Sequence, residues 1–372
     1  MTFIVTVFKA VLNLIFAFMK LSPVRNKISI LSRQSDNKTL DIELLEKEIS
    51  KQDGTIKVVC LCRTLKPGFK SYIMYLFHLL RQMYHIATSK IVIIDGYCMG
   101  ISLLKQRKSL TVVQIWHALG SLKKFGYSIF DKEEGRDRKI AELMNMHKNY
   151  DIIFSSSKYC VDNFAEAFNY PSEAIHVASL PRVDILTDNY HNENLKIKIL
   201  EKYPFLGDKK NIVYAPTFRK DNTDGDRAVE NLISAIDFSE YNLIIKAHPL
   251  MKLNIRREGV LVDNIFSSID MFSAADFVIL DYSAIVYEAA VMRKPLFFYT
   301  FDLDKYKDNR DFYIEYEEEM PGIVSQDAEC IVNAIKNNEY DLTIVREFAD
   351  KYVEIQENCT YRMARFILNS GK

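Results

Sequence analysis

The chain has 372 residues, 48% of them hydrophobic and 26% charged, which is typical of a globular protein long enough for two domains of average size. Its 49 basic and 49 acidic residues cancel to a formal net charge of zero. Broad nucleic-acid binding needs a basic surface, so this balance argues against it. No CxxC pair occurs among the six cysteines, so we expect mostly buried free thiols rather than a zinc site.

Residues 1–22 form the first predicted element, an apolar helix with one narrow polar side. At 100° per residue its polar side chains fall in an arc roughly 60° wide. They are Thr2, Thr6, Lys9, Asn13 and Lys20. This pattern predicts an amphipathic, membrane-associating helix that lies in the interface. A core helix and a transmembrane span are the alternatives, and the polar residues near the centre count against a span. A cleaved signal peptide is disfavoured, because no charged start precedes the apolar run.

Residues 23–187 are predicted to form the first α/β domain. After residue 22 the chain is polar to about residue 55, and residues 41–51 are predicted to form a solvated helix. Apolar strand-like runs then alternate with helical patterns, as in a parallel sheet covered by helices. The predicted strands are 56–62, 90–94, 111–115 and 151–154, and the predicted helices are 71–86, 136–148 and 158–168.

A polar stretch at 187–210 marks the predicted domain junction, and residues 188–372 repeat the alternation. The predicted strands are 211–215, 241–247, 277–280 and 296–299, and the predicted helices are 228–237, 327–336 and those of 343–368. Two doubly wound, Rossmann-like domains would bind ligands beyond the carboxyl ends of their strands. The glycine-rich dinucleotide fingerprint and the P-loop are both absent, so nicotinamide chemistry and P-loop nucleotide hydrolysis lack support.

Polar residues follow four of the predicted strands and are the candidates for chemistry. They are His117 with Gly120 and Lys123, Thr217 with Arg219, Lys246 with His248, and Asp281 with Tyr282 and Ser283. Histidine supplies a base near neutral pH, and arginine clamps phosphate. The alternative for each histidine is a purely structural role. The alternative for Arg219 is an ion pair with Asp221 or Asp224 on a surface loop.

The turn at Asp281, Tyr282 and Ser283 connects an apolar strand to a predicted helix that starts at the turn itself. Unbonded N–H groups and the positive end of a helix dipole would then face outward. Such a turn suits a phosphate group. Together with the other three strand ends, it indicates phosphoryl transfer or nucleotide-donor chemistry.

Five motifs between His117 and Tyr306 resemble those of the CDP-glycerol glycerophosphotransferases, which build teichoic acids and related bacterial polymers. In chain order they are W-H-A-x-G-x-x-K-K-F-G-Y, Y-A-P-T-F-R, K-A-H-P, D-Y-S-A-x-x-Y-E and K-P-L-F-F-Y-T-F-D-L-D-K-Y. The resemblance implies a GT-B-like fold of two Rossmann-like domains. It also makes residues 23–187 the acceptor side and residues 188–372 the CDP-donor side.

The resemblance also implies roles for single residues. His117 and His248 match the essential histidines, and we expect His117 to be the general base. The implied donor-binding residues are Thr217, Arg219, Asp281, Tyr282, Ser283 and Glu288, with Glu288 on the ribose hydroxyls. Gly120 and Lys123 are expected on the acceptor or phosphate side. Ala118 and Ala284 depart from the family, which commonly has glycine and a second serine at these positions.

The expected reaction moves a polyol phosphate, most often glycerol phosphate, from a CDP-polyol to an acceptor, with release of CMP. The donor would be CDP-glycerol or CDP-ribitol, and the acceptor a polyprenyl-diphosphate-linked saccharide or a growing polymer. The enzyme would be peripheral at the cytoplasmic face of the membrane. No sequence cluster demands a metal, although a loosely bound magnesium on the diphosphate stays open. The alternatives are a nucleotide-sugar glycosyltransferase on the same fold and a non-catalytic polymer-binding subunit.

Overall fold

The computed structural model describes residues 2–130, 132–217, 219, 223–247, 253 and 255–372. They form two compact units. The N-terminal unit comprises Met1–Ala118, Phe125–Asp184 and Gln356–Lys372, and the C-terminal unit comprises Leu119–Lys124 and Ile185–Ile355. The chain leaves the N-terminal unit after residue 184, close to the predicted junction at 187/188. The division into 1–22, 23–187 and 188–372 fails for two segments: residues 119–124 belong to the C-terminal unit, and residues 356–372 return to the N-terminal unit.

The sheet of the N-terminal unit has six parallel strands in the order β2-β1-β3-β4-β5-β6. The strands are β1 Lys27–Ser32, β2 Lys57–Cys62, β3 Ile91–Ile94, β4 Thr111–Gln114, β5 Ile152–Ser155 and β6 Ile175–Val177. The helices are α1 Thr2–Met19, α2 Leu40–Gln52, α3 Phe69–Ala87, α4 Met99–Ser102, α5 Arg138–Leu143 and α6 Val161–Phe168. Helix α7, Arg182–Leu186, spans the crossing to the C-terminal unit.

Strand β1 lies inside this sheet, so the prediction of a polar segment before residue 55 is wrong there. Its polar side chains are buried with partners from distant residues. The hydroxyls of Ser29 and Ser89 lie 2.8 Å apart, and Ser32 Oγ donates to Asp95 Oδ2 at 2.6 Å. Because each partner lies at least 60 positions along the chain, the local sequence pattern hides a fully buried strand.

The sheet of the C-terminal unit also has six parallel strands, in the order β12-β11-β10-β7-β8-β9. The strands are β7 Lys210–Ala215, β8 Tyr241–Ile245, β9 Val260–Val262, β10 Phe277–Leu280, β11 Leu296–Tyr299 and β12 Ile323–Ser325. The helices are α8 Asn189–Lys202, α9 Thr223–Ala235, α10 Ser268–Met271, α11 Val286–Val291, α12 Leu303–Asn309, α13 Tyr316–Glu319, α14 Ala328–Lys336 and α15 Leu342–Tyr352. Helix α16, Cys359–Asn369, packs on α2 of the N-terminal unit.

Each sheet has one point at which its strand order reverses. In the N-terminal unit this point lies between β1 and β3, and in the C-terminal unit between β7 and β10. The C-terminal order is that of dinucleotide-binding folds, and the N-terminal order is flavodoxin-like. Connections leave the two strands in opposite directions there and open a crevice at their carboxyl ends. The sequence prediction of two doubly wound α/β domains is confirmed.

Helix α1 is attached to the N-terminal unit through its polar side. Lys9 Nζ donates to the Leu143 carbonyl at 3.0 Å, and Asn13 Nδ2 donates to the Leu103 carbonyl at 3.1 Å. Lys9 and Asn13 of the predicted polar arc therefore contact protein, and the described apolar side chains are largely exposed. Among the described residues, no helix combines the length and apolar content that crossing a bilayer requires.

Candidate active site

His117 lies just beyond β4 in the N-terminal unit, and its ring is held by the backbone of Asp95. Its Nδ1 lies 2.8 Å from the carbonyl oxygen of Asp95, whereas Gln34 Nε2, at 3.2 Å, is itself a donor and accepts no hydrogen bond from Nδ1. A carbonyl oxygen can only accept, so Nδ1 carries the proton and donates it. Nε2 is then left with its lone pair, which is the tautomer that a general base requires.

The surroundings of His117 favour its neutral form. Burial lowers its pKa below the ordinary 6.5, and the hydrogen bond to the Asp95 carbonyl only partly opposes this. The nearby guanidinium of Arg182, which pairs with Asp41, also lowers the pKa and donates to the His117 carbonyl at 3.1 Å. A neutral ring at physiological pH is ready to accept a proton.

Asp95 follows β3 and is a buried acid that the sequence interpretation missed. It is only 4% exposed, and burial raises its pKa to about 6, although the hydrogen bond from Ser32 opposes the rise. Asp95 follows a predicted apolar run, as His117 does. Its position directly after a buried strand is the sequence signal that identifies it as a candidate site residue.

Trp116 forms a wall of a small cavity beside His117. Its φ of 60° is unusual for a large side chain, and its ring stacks on Phe125 at 4.4 Å between centroids. The cavity has a volume of about 190 Å³, and Gln34 and Arg136 also line it. Whole small-molecule ligands usually need 300–1,000 Å³. This cavity is therefore smaller than a site for a whole nucleotide usually is.

Arg219 and two carboxylates form the centre of the candidate site in the C-terminal unit. Its Nη1 lies 2.7 Å from Asp281 Oδ2, and its Nε and Nη2 lie 3.0 and 2.9 Å from the two oxygens of Asp302. Burial alone would lower the pKa of Arg219, but the charges of Asp281 and Asp302 outweigh it and raise the pKa. The described partners of Asp224 are Arg227 and Lys305, so the surface pairing of Arg219 with Asp224 is wrong.

Asp281 fastens the loop after β7 to the turn after β10. Its carboxylate accepts from Thr217 N at 2.8 Å and from Thr217 Oγ1 at 2.6 Å, besides the bond from Arg219. The side chain of Asp281 has no exposed surface. Because its oxygens are occupied by protein donors, Asp281 shapes the turn between strands and offers little to a ligand.

Tyr282 and Asp302 complete this framework. The Tyr282 hydroxyl donates to Asp302 Oδ1 at 3.0 Å, and its ring stacks on Tyr306 with centroids 3.9 Å apart. The Arg219 guanidinium lies 5.1 Å from the Tyr282 ring centre and 5.0 Å from that of Phe301. Asp302 belongs to the motif K-P-L-F-F-Y-T-F-D-L-D-K-Y, but the sequence alone indicates no role for it. Its function as the bidentate partner of Arg219 appears only in the structure.

Ser283 does not begin a helix, contrary to the prediction. Two turns follow it, with hydrogen bonds from Val286 N to Ser283 O and from Tyr287 N to Ala284 O, both 3.3 Å, and α11 starts at Val286. Helix α11 has only six residues, so its dipole is small. Within the described part of the chain, the amides of Ser283, Ala284 and Ile285 donate to no protein acceptor. These three N–H groups, rather than a helix end, are what the turn offers to an anion.

The remaining predicted residues lie in three different settings. Gly120 and Lys123 belong to the C-terminal unit rather than to the acceptor-side domain in which they were predicted. A Cβ on Gly120 would lie 2.5 Å from the Tyr287 ring, so this glycine permits close packing. Glu288 is 2% exposed within α11. His248 lies outside the described residues, and its predicted role stays a prediction.

The structure therefore brings Thr217, Arg219, Asp281 and Tyr282 together around Asp302, with Ser283 following directly. His117 belongs to the other unit and has its own surroundings. No cluster of three or more His, Cys, Asp and Glu side chains that could hold a metal occurs among the residues described. The expectation of no resident metal stays a prediction.

Comparisons with known proteins agree on one family. The family model described as CDP-Glycerol:Poly(glycerophosphate) glycerophosphotransferase matches residues 14–369. The chain is 31% identical over 390 residues to a teichoic acid ribitol-phosphate primase of Bacillus spizizenii, covering 100% of this chain and 99% of that protein. It is 30% identical over 300 residues to a teichoic acid glycerol-phosphate primase of Bacillus subtilis, covering 78% and 77%.

A solved structure of the wall teichoic acid polymerase TagF shares the fold. It superposes with a TM-score of 0.77 over 99% of this chain and 97% of that chain, at 19% sequence identity. The likeness in backbone extends over both units of the chain. The GT-B-like fold expected from the sequence is thus consistent with a known structure.

Proposed function

Because the chain belongs to the CDP-glycerol:poly(glycerophosphate) glycerophosphotransferase family, we propose that it transfers a polyol phosphate from a CDP-polyol to a cell-surface polymer acceptor. The single observation that carries this proposal is the state of His117. Its Nδ1 is committed to the Asp95 carbonyl, and its pKa is lowered, so Nε2 is a ready proton acceptor. A binding subunit would not need a base so prepared.

The proposed reaction is an in-line displacement at the phosphorus that carries the polyol. His117 Nε2 takes the proton of an acceptor hydroxyl as its oxygen bonds to phosphorus. The bond from phosphorus to the CMP oxygen breaks, and CMP leaves with the electron pair. The amides at Ser283, Ala284 and Ile285, together with His248, would hold the diphosphate and stabilise its growing charge.

The remaining predicted site residues position the donor or attract the acceptor in this proposal. Arg219, whose donors bond Asp281 and Asp302, positions the phosphate-binding turn, and its direct contact with phosphate stays a prediction. Glu288 would bind the ribose hydroxyls, and Lys123 would attract an anionic acceptor. Any magnesium would be held loosely by the diphosphate itself.

Glycerol phosphate is the group expected from the sequence, and ribitol phosphate is the second candidate. The full-length similarity to a ribitol-phosphate primase favours ribitol, because it covers both proteins almost end to end. The partial similarity to a glycerol-phosphate primase favours glycerol. The acceptor would be a polyprenyl-diphosphate-linked saccharide or a polymer, with the enzyme peripheral at the cytoplasmic membrane face.

The test is incubation of the full chain with CDP-glycerol or CDP-ribitol and a synthetic lipid-linked disaccharide. CMP release and the product mass are read together. We expect CMP and a product heavier by one or more polyol phosphates with one of the donors. A reaction seen only with a UDP-sugar would replace the proposal with the glycosyltransferase alternative. Binding of the polymer without turnover of any donor would favour the non-catalytic alternative.

A further inference from the structure

The N-terminal unit contains a buried ion pair between Asp41, near the start of α2, and Arg182, at the start of α7. Arg182 N donates to Asp41 Oδ1 and Arg182 Nε donates to Oδ2, both at 2.9 Å, and Nη2 also contacts Oδ2. The side chains of Asp41 and Arg182 are 3 and 13% exposed. Removing two charges from water is costly, so a buried pair is weak evidence for a stabilising role. The further contacts of the guanidinium therefore indicate what the pair does.

The guanidinium also bonds the backbone of His117. Arg182 Nη2 donates to the His117 carbonyl oxygen at 3.1 Å. Because a guanidinium is a planar fork, its bonds to Asp41 fix the direction in which this further bond points. The ring of the same histidine is held separately, through the 2.8 Å contact between Nδ1 and the Asp95 carbonyl. His117 is thus fixed at its backbone by Arg182 and at its ring by Asp95.

The loop that carries His117 depends on such contacts, because its local backbone is strained. Trp116, directly before His117, has a φ of 60°. Its N–H donates to Gln114 Oε1 at 2.9 Å, which holds the first half of the loop, and the bond from Arg182 holds the second half. A strained conformation persists only where its surroundings over-determine it. Loss of Arg182 would therefore let the His117 backbone move, and Nε2 with it.

The charge of Asp41 explains how a guanidinium can hold a base. Proton transfer to His117 creates an imidazolium, and an unpaired guanidinium beside it would oppose that charge. The charge of Arg182 lowers the pKa of His117 and the charge of Asp41 raises it, although burial has the largest effect. The pKa of Asp95 responds to the same two charges in the same directions. The other titratable side chains beside His117 line its cavity and are Tyr97, Glu134, Arg136 and His147.

We propose that Arg182 and Asp41 are positioning residues for the transfer reaction: Asp41 orients the guanidinium, and the guanidinium holds the His117 backbone so that Nε2 meets the acceptor hydroxyl. Both residues act through His117 and not on the reacting atoms. The inference rests on the proposed function, in which His117 is the base. It gives a role in the reaction to α2 and α7, which the proposed function does not use.

The test uses the full-length chain and four variants, which are Arg182→Gln, Asp41→Asn, Arg182→Lys and the double variant Arg182→Gln/Asp41→Asn. The matched control is Arg227→Gln, which removes an arginine that is 71% exposed. NMR of isotope-labelled histidine gives the pKa and the ring tautomer of His117, whose signals are identified by their loss in His117→Ala. The kcat and donor KM for CMP release and the free energy of unfolding in urea are measured on the same proteins.

We expect the two single charge changes to move the pKa of His117 in opposite directions. Arg182→Gln leaves Asp41 uncompensated and should raise the pKa, whereas Asp41→Asn leaves Arg182 uncompensated and should lower it. The double variant should return the pKa toward that of the unaltered chain, and the control should not change it. A pair that only stabilises the fold would not produce shifts of opposite sign. Shifts in the same direction, or none, would therefore overturn the inference.

Arg182→Lys separates position from charge, because lysine keeps the charge but lacks the planar fork. We expect this variant to keep the pKa of His117 close to that of the unaltered chain and to show a mixture of ring tautomers. Its kcat should fall about 10- to 100-fold at an unchanged donor KM. An unaltered kcat would overturn the positioning role, whatever the loss of stability. If the unaltered chain released no CMP from either donor, the proposed function would fail, whereas pKa shifts of opposite sign would still show that the pair acts on His117.

Discussion

Replacing Arg219 with glutamine should destabilise the C-terminal unit strongly, whatever the enzyme's donor. The Arg219 side chain is 11% exposed and lies between Asp281 and Asp302, which are 0 and 12% exposed. Without the guanidinium, two nearly buried carboxylates face each other with no compensating charge. Removing one partner of a buried ion pair costs about 3–5 kcal/mol. We expect a loss of that size in the free energy of unfolding.

The magnitude follows from the bonds that the guanidinium makes. Three of them reach carboxylate oxygens at 2.7, 2.9 and 3.0 Å. Charge-assisted bonds contribute about 1.5–3 kcal/mol each, but their sum overestimates the effect because desolvation offsets part of it. The figure for breaking a buried pair is therefore the better guide.

The assay is urea unfolding followed by far-UV circular dichroism, with two companion variants. Arg227→Gln removes an exposed arginine that pairs with Asp224 at 3.0 Å, and it should change stability by less than about 1 kcal/mol. The double variant Arg219→Gln/Asp302→Asn restores the original net charge of the cluster and should recover part of the loss. An Arg219→Gln protein as stable as the Arg227→Gln control would refute the assignment of Arg219 to the framework. A double variant less stable than the single one would refute the charge argument.

Four further predictions concern His117, Asp95 and Gly120. Replacing His117 with alanine should lower CMP release by about 10²–10⁴-fold, whereas the control His191→Ala, at an exposed histidine, should leave it unchanged. Near-normal turnover by the His117→Ala variant would exclude His117 as the base. Since the pKa of His117 is lowered, activity should fall with decreasing pH only below 6.5, and a midpoint above that value in the kcat/KM profile would contradict the burial argument. The pKa of Asp95 is raised to about 6, so its ionised form destabilises the folded protein; this penalty is absent below pH 4 and complete above pH 6. The variant Asp95→Asn should therefore gain up to about 3 kcal/mol of stability at pH 8 relative to pH 4. An equal effect of the substitution at both pH values in urea unfolding would contradict this prediction. Replacing Gly120 with alanine should cost about 1–3 kcal/mol through its clash with the Tyr287 ring, and the further change Tyr287→Leu should restore part of that loss if the clash is the cause.

The local sequence determined much of the architecture, because its signals are short-range. Apolar runs such as those of β10 and β11 are buried on both faces, and buried parallel strands read as continuous apolar segments. The alternation of such runs with helical patterns was enough to predict two doubly wound domains. The strand ends also identified His117, Thr217, Arg219 and Asp281, because polar residues just after buried strands lie where such sheets bind ligands.

Tertiary structure alone decided how those residues are used, because their partners are distant in sequence. Strand β1 stayed hidden, since its buried serines bond to residues at least 60 positions away. Arg219 is committed to Asp302, 83 positions away, and Asp281 holds Thr217 rather than offering its oxygens to a ligand. Helical periodicity showed that α1 is amphipathic, but only its contacts with the N-terminal unit show that the polar side faces inward. A periodic sequence pattern shows which side of a helix or strand is polar and which is apolar. Only the folded chain determines which residues, or whether solvent, each side contacts.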